Sequence, residues 1–143
     1  VTDLALAVRD LLRANGEATH GLARRLGVGV TDAIALDHLL SSPDGLGPTE
    51  LGHRLGIRSA SATTLVDRLE AAGHAERVRH PSDRRRQTVV AGNRTRQQAA
   101  EALHPLIQRI EAAAARMAPD EVTAATAFLH EVAEAMRDYA GRA

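Results

Sequence analysis

The stretch from Pro48 to Val90 constrains the fold most, because two short helix patterns, a glycine stop, a hairpin pattern and an arginine-rich turn follow one another there without a gap. The first pattern is Pro48-Thr49-Glu50-Leu51-Gly52-His53-Arg54-Leu55. Proline suits an opening turn, where its missing N–H has no intrahelical partner to lose. Leu51 and Leu55 put apolar groups on one face, and Gly56 ends the pattern. Ser59 then offers a side-chain oxygen to cap a second helix, whose Leu65, Val66 and Leu69 face inward until Gly73 stops it. Two helices joined by so few residues must cross steeply.

The outward face of the second helix carries Ser59, Ala60, Ser61, Thr63, Thr64 and Arg68. Small, hydrogen-bonding groups of this kind let a helix sit deep in a major groove, whereas a helix meant only for solvent more often carries Glu and Lys. Ser59 can serve as a cap alone, and Arg68 can bind a phosphate or pair with its neighbours Asp67 and Glu70. Two β-like runs follow, Ala75 to Arg79 and Gln87 to Ala91, separated by His80-Pro81-Ser82-Asp83-Arg84-Arg85-Arg86. Pro, Ser and Asp are turn formers, so the basic triplet lies at or just after a hairpin tip. Guanidinium groups on such a tip fit the negative potential of a minor groove. In isolation, Asp83 and Arg85 read as a solvated ion pair in a turn; after a helix-turn-helix they read as part of a DNA-binding wing. Arg54 and Arg58 are further candidates for phosphate contacts. The order of elements predicts a winged helix-turn-helix that reads double-stranded DNA.

This stretch resembles the MarR family of transcriptional regulators. The residues that carry the likeness are Thr49-Glu50-Leu51, Leu55-Gly56-Ile57, the run Thr63-Thr64-Leu65-Val66-Asp67-Arg68-Leu69-Glu70, Gly73, and Pro81-Ser82-Asp83-Arg84-Arg85 in the wing. The resemblance implies that the helix from Ser59 to Arg68 enters the major groove. It implies that Asp83 orients Arg85 for the minor groove, and that helices from both termini make a homodimer. At three places the chain departs from the family pattern. Ala91-Gly92-Asn93-Arg94-Thr95 stands where Leu-Thr-x-x-Gly is usual, Thr64 stands where Arg is frequent, and His74-Ala75 replaces Leu-Val or Leu-Ile.

The net charge of zero conceals an uneven distribution. Between His53 and Arg96 ten Arg face four acids, whereas residues 1–52 and 97–143 each hold four Arg against seven acids. A central cationic segment points to a polyanionic partner. All the basic residues are Arg, which suits phosphate forks, although with so much Ala the usage also fits a GC-rich genome. One Phe and one Tyr leave no aromatic platform for stacking on single strands, which favours duplex DNA. The absence of Cys removes disulfides, thiolate metal sites and thiol redox sensing. At 143 residues and 44% hydrophobic, the chain can bury a core built of Leu, Val, Ile and Ala.

The flanking segments read as helices. Leu4, Val8, Leu11, Ala18, Leu22 and Leu26 recur at helical spacing, with Asn15-Gly16 a weak point. Thr31 and Asp32 can cap the next helix, whose Ile34, Leu36, Leu39 and Leu40 face inward before a loop from Ser41 to Gly45. Past the wing, Leu103, Ile107, Ile110, Ala114 and Met117 mark a long helix from about Asn93, bent at Pro105. Pro119-Asp120-Glu121 opens the last helix, with a stripe of Val122, Ala125, Leu129, Val132, Met136 and Tyr139. The expected architecture is mainly α with a small β-hairpin wing. One domain covers 1–143, with the winged helix-turn-helix at 31–91 and dimerisation helices at 1–28 and 93–143. The small module cannot bury those outer stripes alone, which favours a two-fold homodimer over a monomer. Its operator is expected to be a pseudo-palindrome.

Catalytic patterns are lacking. The seven His (His20, His38, His53, His74, His80, His104, His130) never fall three or four apart, so no helix presents a local metal pair. Gly27-Val28-Gly29 lacks the third glycine of a dinucleotide fingerprint, and no nucleophile elbow or phosphate loop occurs. The chain is read as no enzyme, with no metal and no cofactor. Charges at Asp3, Arg9, Asp10 and Arg13 interrupt the N-terminal stretch, giving neither a signal peptide nor a membrane span, and the expected location is cytoplasmic. The leading function is a ligand-responsive repressor acting as a homodimer; the alternative is a winged-helix protein-interaction module without an operator. For an effector, such as a phenolic or aromatic carboxylate, the candidate pocket residues are His20, Arg24, Leu36 and His38.

Overall fold

Residues 1–142 are described in this computed structural model, and they run α1 (Asp3–Leu26), α2 (Val30–Leu40), α3 (Pro48–Leu55), α4 (Ser59–Ala71), β1 (Ala75–Arg79), β2 (Gln87–Ala91), α5 (Asn93–Ala115) and α6 (Pro119–Arg142). They form two compact units, Val1–Ala102 and Leu103–Ala143. The winged helix-turn-helix lies wholly within the first. It is mainly helical with one antiparallel hairpin, as expected.

In the first unit the core is aliphatic. Leu36 and Leu39 of α2, Leu51 of α3, Val66 and Leu69 of α4 and Val89 of β2 are all fully buried. Leu22 and Leu26 close the same cluster from the C-terminal end of α1. α3 and α4 cross at Gly52, where an added Cβ would lie 3.1 Å from the Ala62 Cβ. That close approach explains a glycine inside a helix. α4 ends in a Schellman motif: Gly73, at φ +80, donates to the Glu70 carbonyl at 3.0 Å, and His74 N–H donates to the Leu69 carbonyl at 2.9 Å. The hairpin register pairs Ala75 with Ala91 and Arg79 with Gln87. Leu46 adds a bridge beside β2, its N–H donating to the Val89 carbonyl at 3.0 Å and its own carbonyl accepting from Val89 N–H at 2.7 Å.

Several local expectations are corrected here. Asn15-Gly16 does not interrupt α1, which runs unbroken and is capped by Thr2, whose hydroxyl accepts from Ala5 N–H at 3.1 Å. Gly29, not Thr31 or Asp32, takes the N-cap of α2 without a side-chain bond. Arg58 precedes α4, and Ser59 makes no cap. Ile34, expected inward, is exposed. The long helix expected from about Asn93 is present as α5, with Pro105 inside it.

In the second unit α6 opens with a short cap, the Ala118 N–H donating to Glu121 Oε1 at 2.7 Å. Among its described residues α6 has no buried side chain. Leu106, Ile107, Ile110, Met117, Leu129, Met136 and Tyr139 are exposed.

Candidate nucleic-acid interface

Ser59, Ala60, Ser61, Thr63 and Thr64 are all exposed along α4, opposite the buried Ala62, Leu65, Val66 and Leu69. The hydroxyls of Thr63 and Thr64 donate back to the carbonyls of Ser59 at 3.0 Å and Ala60 at 3.1 Å. Their outer surface therefore offers a methyl group and an oxygen still able to accept, which suits a thymine methyl or a base amino group.

Arg68 pairs with neither Asp67 nor Glu70. Its Nε donates to Asp32 Oδ2 at 3.0 Å and its Nη2 to Asp32 Oδ1 at 2.6 Å. This bidentate fork joins the start of α2 to the last turn of α4. The Asp32 side chain is 11% exposed and that of Arg68 55%, so a half-exposed cation serves a carboxylate that would otherwise lack a partner in the protein's interior. The Arg68 guanidinium has its pKa raised, first by the hydrogen bond to Asp32 and then by its charge. The upward shift favours the folded form below arginine's own range as long as Asp32 is charged, so the Arg68 guanidinium does not lose its proton near neutrality. One nitrogen, Nη1, is left for a phosphate.

Asp67 and Glu70 are held instead by Arg77 of β1. Arg77 Nη2 donates to Asp67 Oδ1 at 2.6 Å, Nη1 to Glu70 Oε1 at 2.6 Å, and its backbone N–H to Glu70 Oε2 at 3.3 Å. The Arg77 side chain is only 20% exposed, and its pKa is likewise raised, chiefly by the bond to Asp67. The clamp fixes the hairpin to α4, and its single positive charge offsets one of the two negative charges it binds.

At the wing tip Asp83 Oδ1 accepts the Arg85 backbone N–H at 3.0 Å, and His80 Nδ1 accepts from the N–H groups of Ser82 at 3.1 Å and Asp83 at 3.3 Å. Asp83 thus sets the backbone of the turn that carries Arg85, as in an Asx-turn, and does not grip its guanidinium. Among the described residues the ion pairs are Arg54–Glu50, Arg68–Asp32, Arg77–Asp67 and Arg77–Glu70. Arg84, Arg85 and Arg86 are exposed and in none of them. Arg58 is exposed, and Arg54 lies 3.3 Å from Glu50 in an exposed helical pair that adds little stability and leaves its cation accessible.

The four candidate effector residues differ in exposure, and none of them lines the clearest cleft among the described residues. Leu36 is fully buried in the core, while His20 and Arg24 are exposed and His38 is half-buried. A cleft of about 540 Å³ lies instead between the α1–α2 turn and the end of α4, lined by Gly27–Asp32, Arg68, Leu69, Ala72 and His74. Sequence reasoning also missed Arg77 and His80. Arg77 had a legible signal, since it is a cation in a short strand seven residues after one acid and ten after another; His80 had none, because a ring nitrogen accepting two backbone bonds depends on the turn's geometry.

Fold and surface together define a winged helix-turn-helix protein. Residues 26–86 match the MarR family model. An HTH-type transcriptional regulator of Bacillus subtilis (strain 168), YcgE, is 29% identical over 116 residues, covering 81% of this chain and 75% of that protein. Over this module the chain is similar to MarR-family regulators. Solved structures share the fold. A MepR mutant from a multidrug-resistant S. aureus clinical isolate matches at TM-score 0.74 with 12% identity, covering 94% of this chain and 98% of that one. A MepR mutant bound to an oligodeoxyribonucleotide matches at TM-score 0.56 with 15% identity, covering 95% and 99%. CouR from Rhodococcus jostii RHA1 bound to p-coumaroyl-CoA matches at 0.60 with 21% identity, covering 96% and 92%.

Proposed function

We propose that this chain is a sequence-specific regulator of transcription that binds double-stranded DNA as a homodimer and represses until an effector releases it. The observation that carries the reading is the division of charge within the winged module. The acids of α4 are clamped by Arg77, whereas Arg84, Arg85 and Arg86 on the wing are exposed and in no ion pair among the described residues. Arginines outside ion pairs on such a surface can meet phosphates, and the uncharged face from Ser59 to Thr64 is shaped for base edges. The fold likeness to MepR bound to an oligodeoxyribonucleotide supports the same use. Two-fold pairing is supported by the exposed apolar side chains of α6, and by the small number of bases one recognition helix can read.

The effector part of the proposal places a small anionic or apolar ligand in the cleft at the α1–α2 turn. Arg68 lines it and belongs to the recognition helix, and CouR supplies the precedent of a fold relative holding a small molecule. Calorimetry with aromatic carboxylates, with and without DNA, tests this part. A releasing ligand must bind the free dimer more tightly by the factor it weakens DNA binding, and equal affinity in both states rejects it.

Selection from a pool of randomised duplexes tests the DNA reading. The expected outcome is one enriched imperfect palindrome with half-site centres about 10 base pairs apart. A pool that stays random, with the folded protein present, favours the protein-interaction module instead.

A further inference from the structure

Two of the places where this chain departs from the MarR-family pattern meet in space. His74 Nδ1 lies 2.9 Å from Thr95 Oγ1. His74 follows the glycine that ends α4, and its backbone is tied to that helix by the bond to the Leu69 carbonyl. Thr95 is in the first turn of α5 and is 1% exposed. Thr63, Thr64, Thr123 and Thr126 turn their hydroxyls back onto carbonyls of their own helices; Thr95 sends its hydroxyl across to the end of the recognition helix instead.

One backbone bond and one close approach join the same junction. Gly92 N–H donates to the His74 carbonyl at 2.9 Å, and an added Cβ at Gly92 would lie 2.9 Å from the Gly73 carbonyl oxygen. The Gly92 carbonyl in turn accepts the first helical bond of α5, from Arg96 N–H at 2.9 Å. The turn that ends α4 and the turn that starts α5 are therefore in backbone contact. The His74–Thr95 bond is a side-chain link between the same two turns. Which of the two groups donates depends on the imidazole tautomer.

We infer that His74 and Thr95 are a positioning pair that sets the angle between the recognition helix and α5, and through it the half-site spacing the dimer accepts. The inference rests on the DNA-binding dimer proposed above. A buried threonine hydroxyl deprived of its partner must find another or distort its surroundings, and an angular change in a helix end displaces whatever that helix presents. The pair touches no base in this account and acts only through helix orientation.

Four variants separate positioning from bulk stability. Thr95→Val and His74→Leu delete the bond while keeping volume, and Thr95→Ser and His74→Asn keep a group able to make it. Each is measured against the selected duplex and against versions with the spacing changed by one base pair. The native protein is expected to prefer the selected spacing. Thr95→Val and His74→Leu should lose about tenfold of that preference, with dimer and fold intact by sedimentation and circular dichroism, while Thr95→Ser and His74→Asn retain it. A Thr95→Val protein that stays folded and keeps the native spacing preference overturns the inference. If any deletion variant fails to fold, the comparison is read from the other one and from the two conservative variants, whose loss of the preference equally counts against the inference. Hydrogen exchange without DNA keeps the two proposals apart: Thr95→Val should speed exchange at His74 and Arg96 amides, and Thr95→Ser should not. Unchanged exchange removes the link itself, whereas changed exchange in a native chain that selects no duplex removes only the DNA reading.

Discussion

The winged module and the last helix are built from the same aliphatic alphabet and treat it in opposite ways. Leu36, Leu39, Leu51, Val66, Leu69 and Val89 are fully buried within the first unit. α6 carries Val122, Leu129, Val132, Met136 and Tyr139 at similar spacing, yet none of its described residues is buried. The first unit shows the gradient within one helix: α1 buries Leu22, Ala23 and Leu26 at its end and exposes Leu4, Leu6, Leu11 and Leu12 at its start. A periodic apolar stripe reports that a helix has a face to cover and is silent on whether its own chain covers it. Exposed apolar surface on this scale marks an interaction site, and a second copy of the chain is the occupant proposed here.

Changes on the two sides of this contrast should therefore fail differently. Val132→Asp places a charge on the α6 stripe, where an unpaired charge in an apolar interface is worth about 3 to 5 kcal/mol against association. Sedimentation should show monomers that keep their helical circular dichroism, and DNA affinity should collapse. A Val132→Asp dimer of native affinity would mean that α6 does not pair subunits. Leu69→Ala cuts the core of the module itself and should lower its stability by about 2 to 5 kcal/mol in denaturant melts. Its effect should be on unfolding, at subunit concentrations where the native protein is paired; an unchanged melt would place Leu69 outside the cooperative core.

The two regions were also unequally legible in the sequence. Both strands of the wing and the bounds of α3 could be read from local signals, because Pro48, Gly56, Gly73 and the Pro81-Ser82-Asp83 turn each act on their nearest neighbours. The caps were misread at Asp32 and Ser59. A short polar residue before an apolar run looks like a cap, and nothing local says that Asp32 has Arg68 as its partner, 36 positions along the chain. Arg77 was more legible, because its two carboxylates lie only seven and ten positions before it. Ile34 shared the period of its buried neighbours and still faces out, since periodicity gives the stripe but not its edges. His74 and Thr95 were visible as departures from the family pattern, but their meeting needed the fold.

Smaller effects sharpen the contrast inside the module, between residues proposed to touch DNA and residues that shape the surface. Arg85→Ala should cost about 1 to 3 kcal/mol of duplex affinity by fluorescence anisotropy, without altering the melt. Asp83→Ala should weaken binding although it removes a negative charge, because the Arg85 backbone N–H loses its acceptor; Asp83→Asn keeps an acceptor and should bind nearly as the native protein does. Tighter binding by Asp83→Ala would show that net charge alone governs the tip. Thr63→Ala should change affinity least, by about 1 kcal/mol, and should alter which base is preferred at one position per half-site in a repeated selection. An unaltered preferred sequence would remove Thr63 from the reading face.

The most direct test of a paired, arginine-winged DNA reader is a salt titration of binding to the selected duplex, with the native protein and with Arg84, Arg85 and Arg86 all changed to Ala. Each neutralised phosphate steepens the log–log slope by about 0.9. The native protein should bind as two chains per duplex, with affinity falling steeply as salt rises and a clear advantage over a scrambled duplex. The triple variant should give a shallower slope, because both wings have lost their cations. A native affinity that ignores salt, or that is equal for selected and scrambled duplexes, would contradict the account.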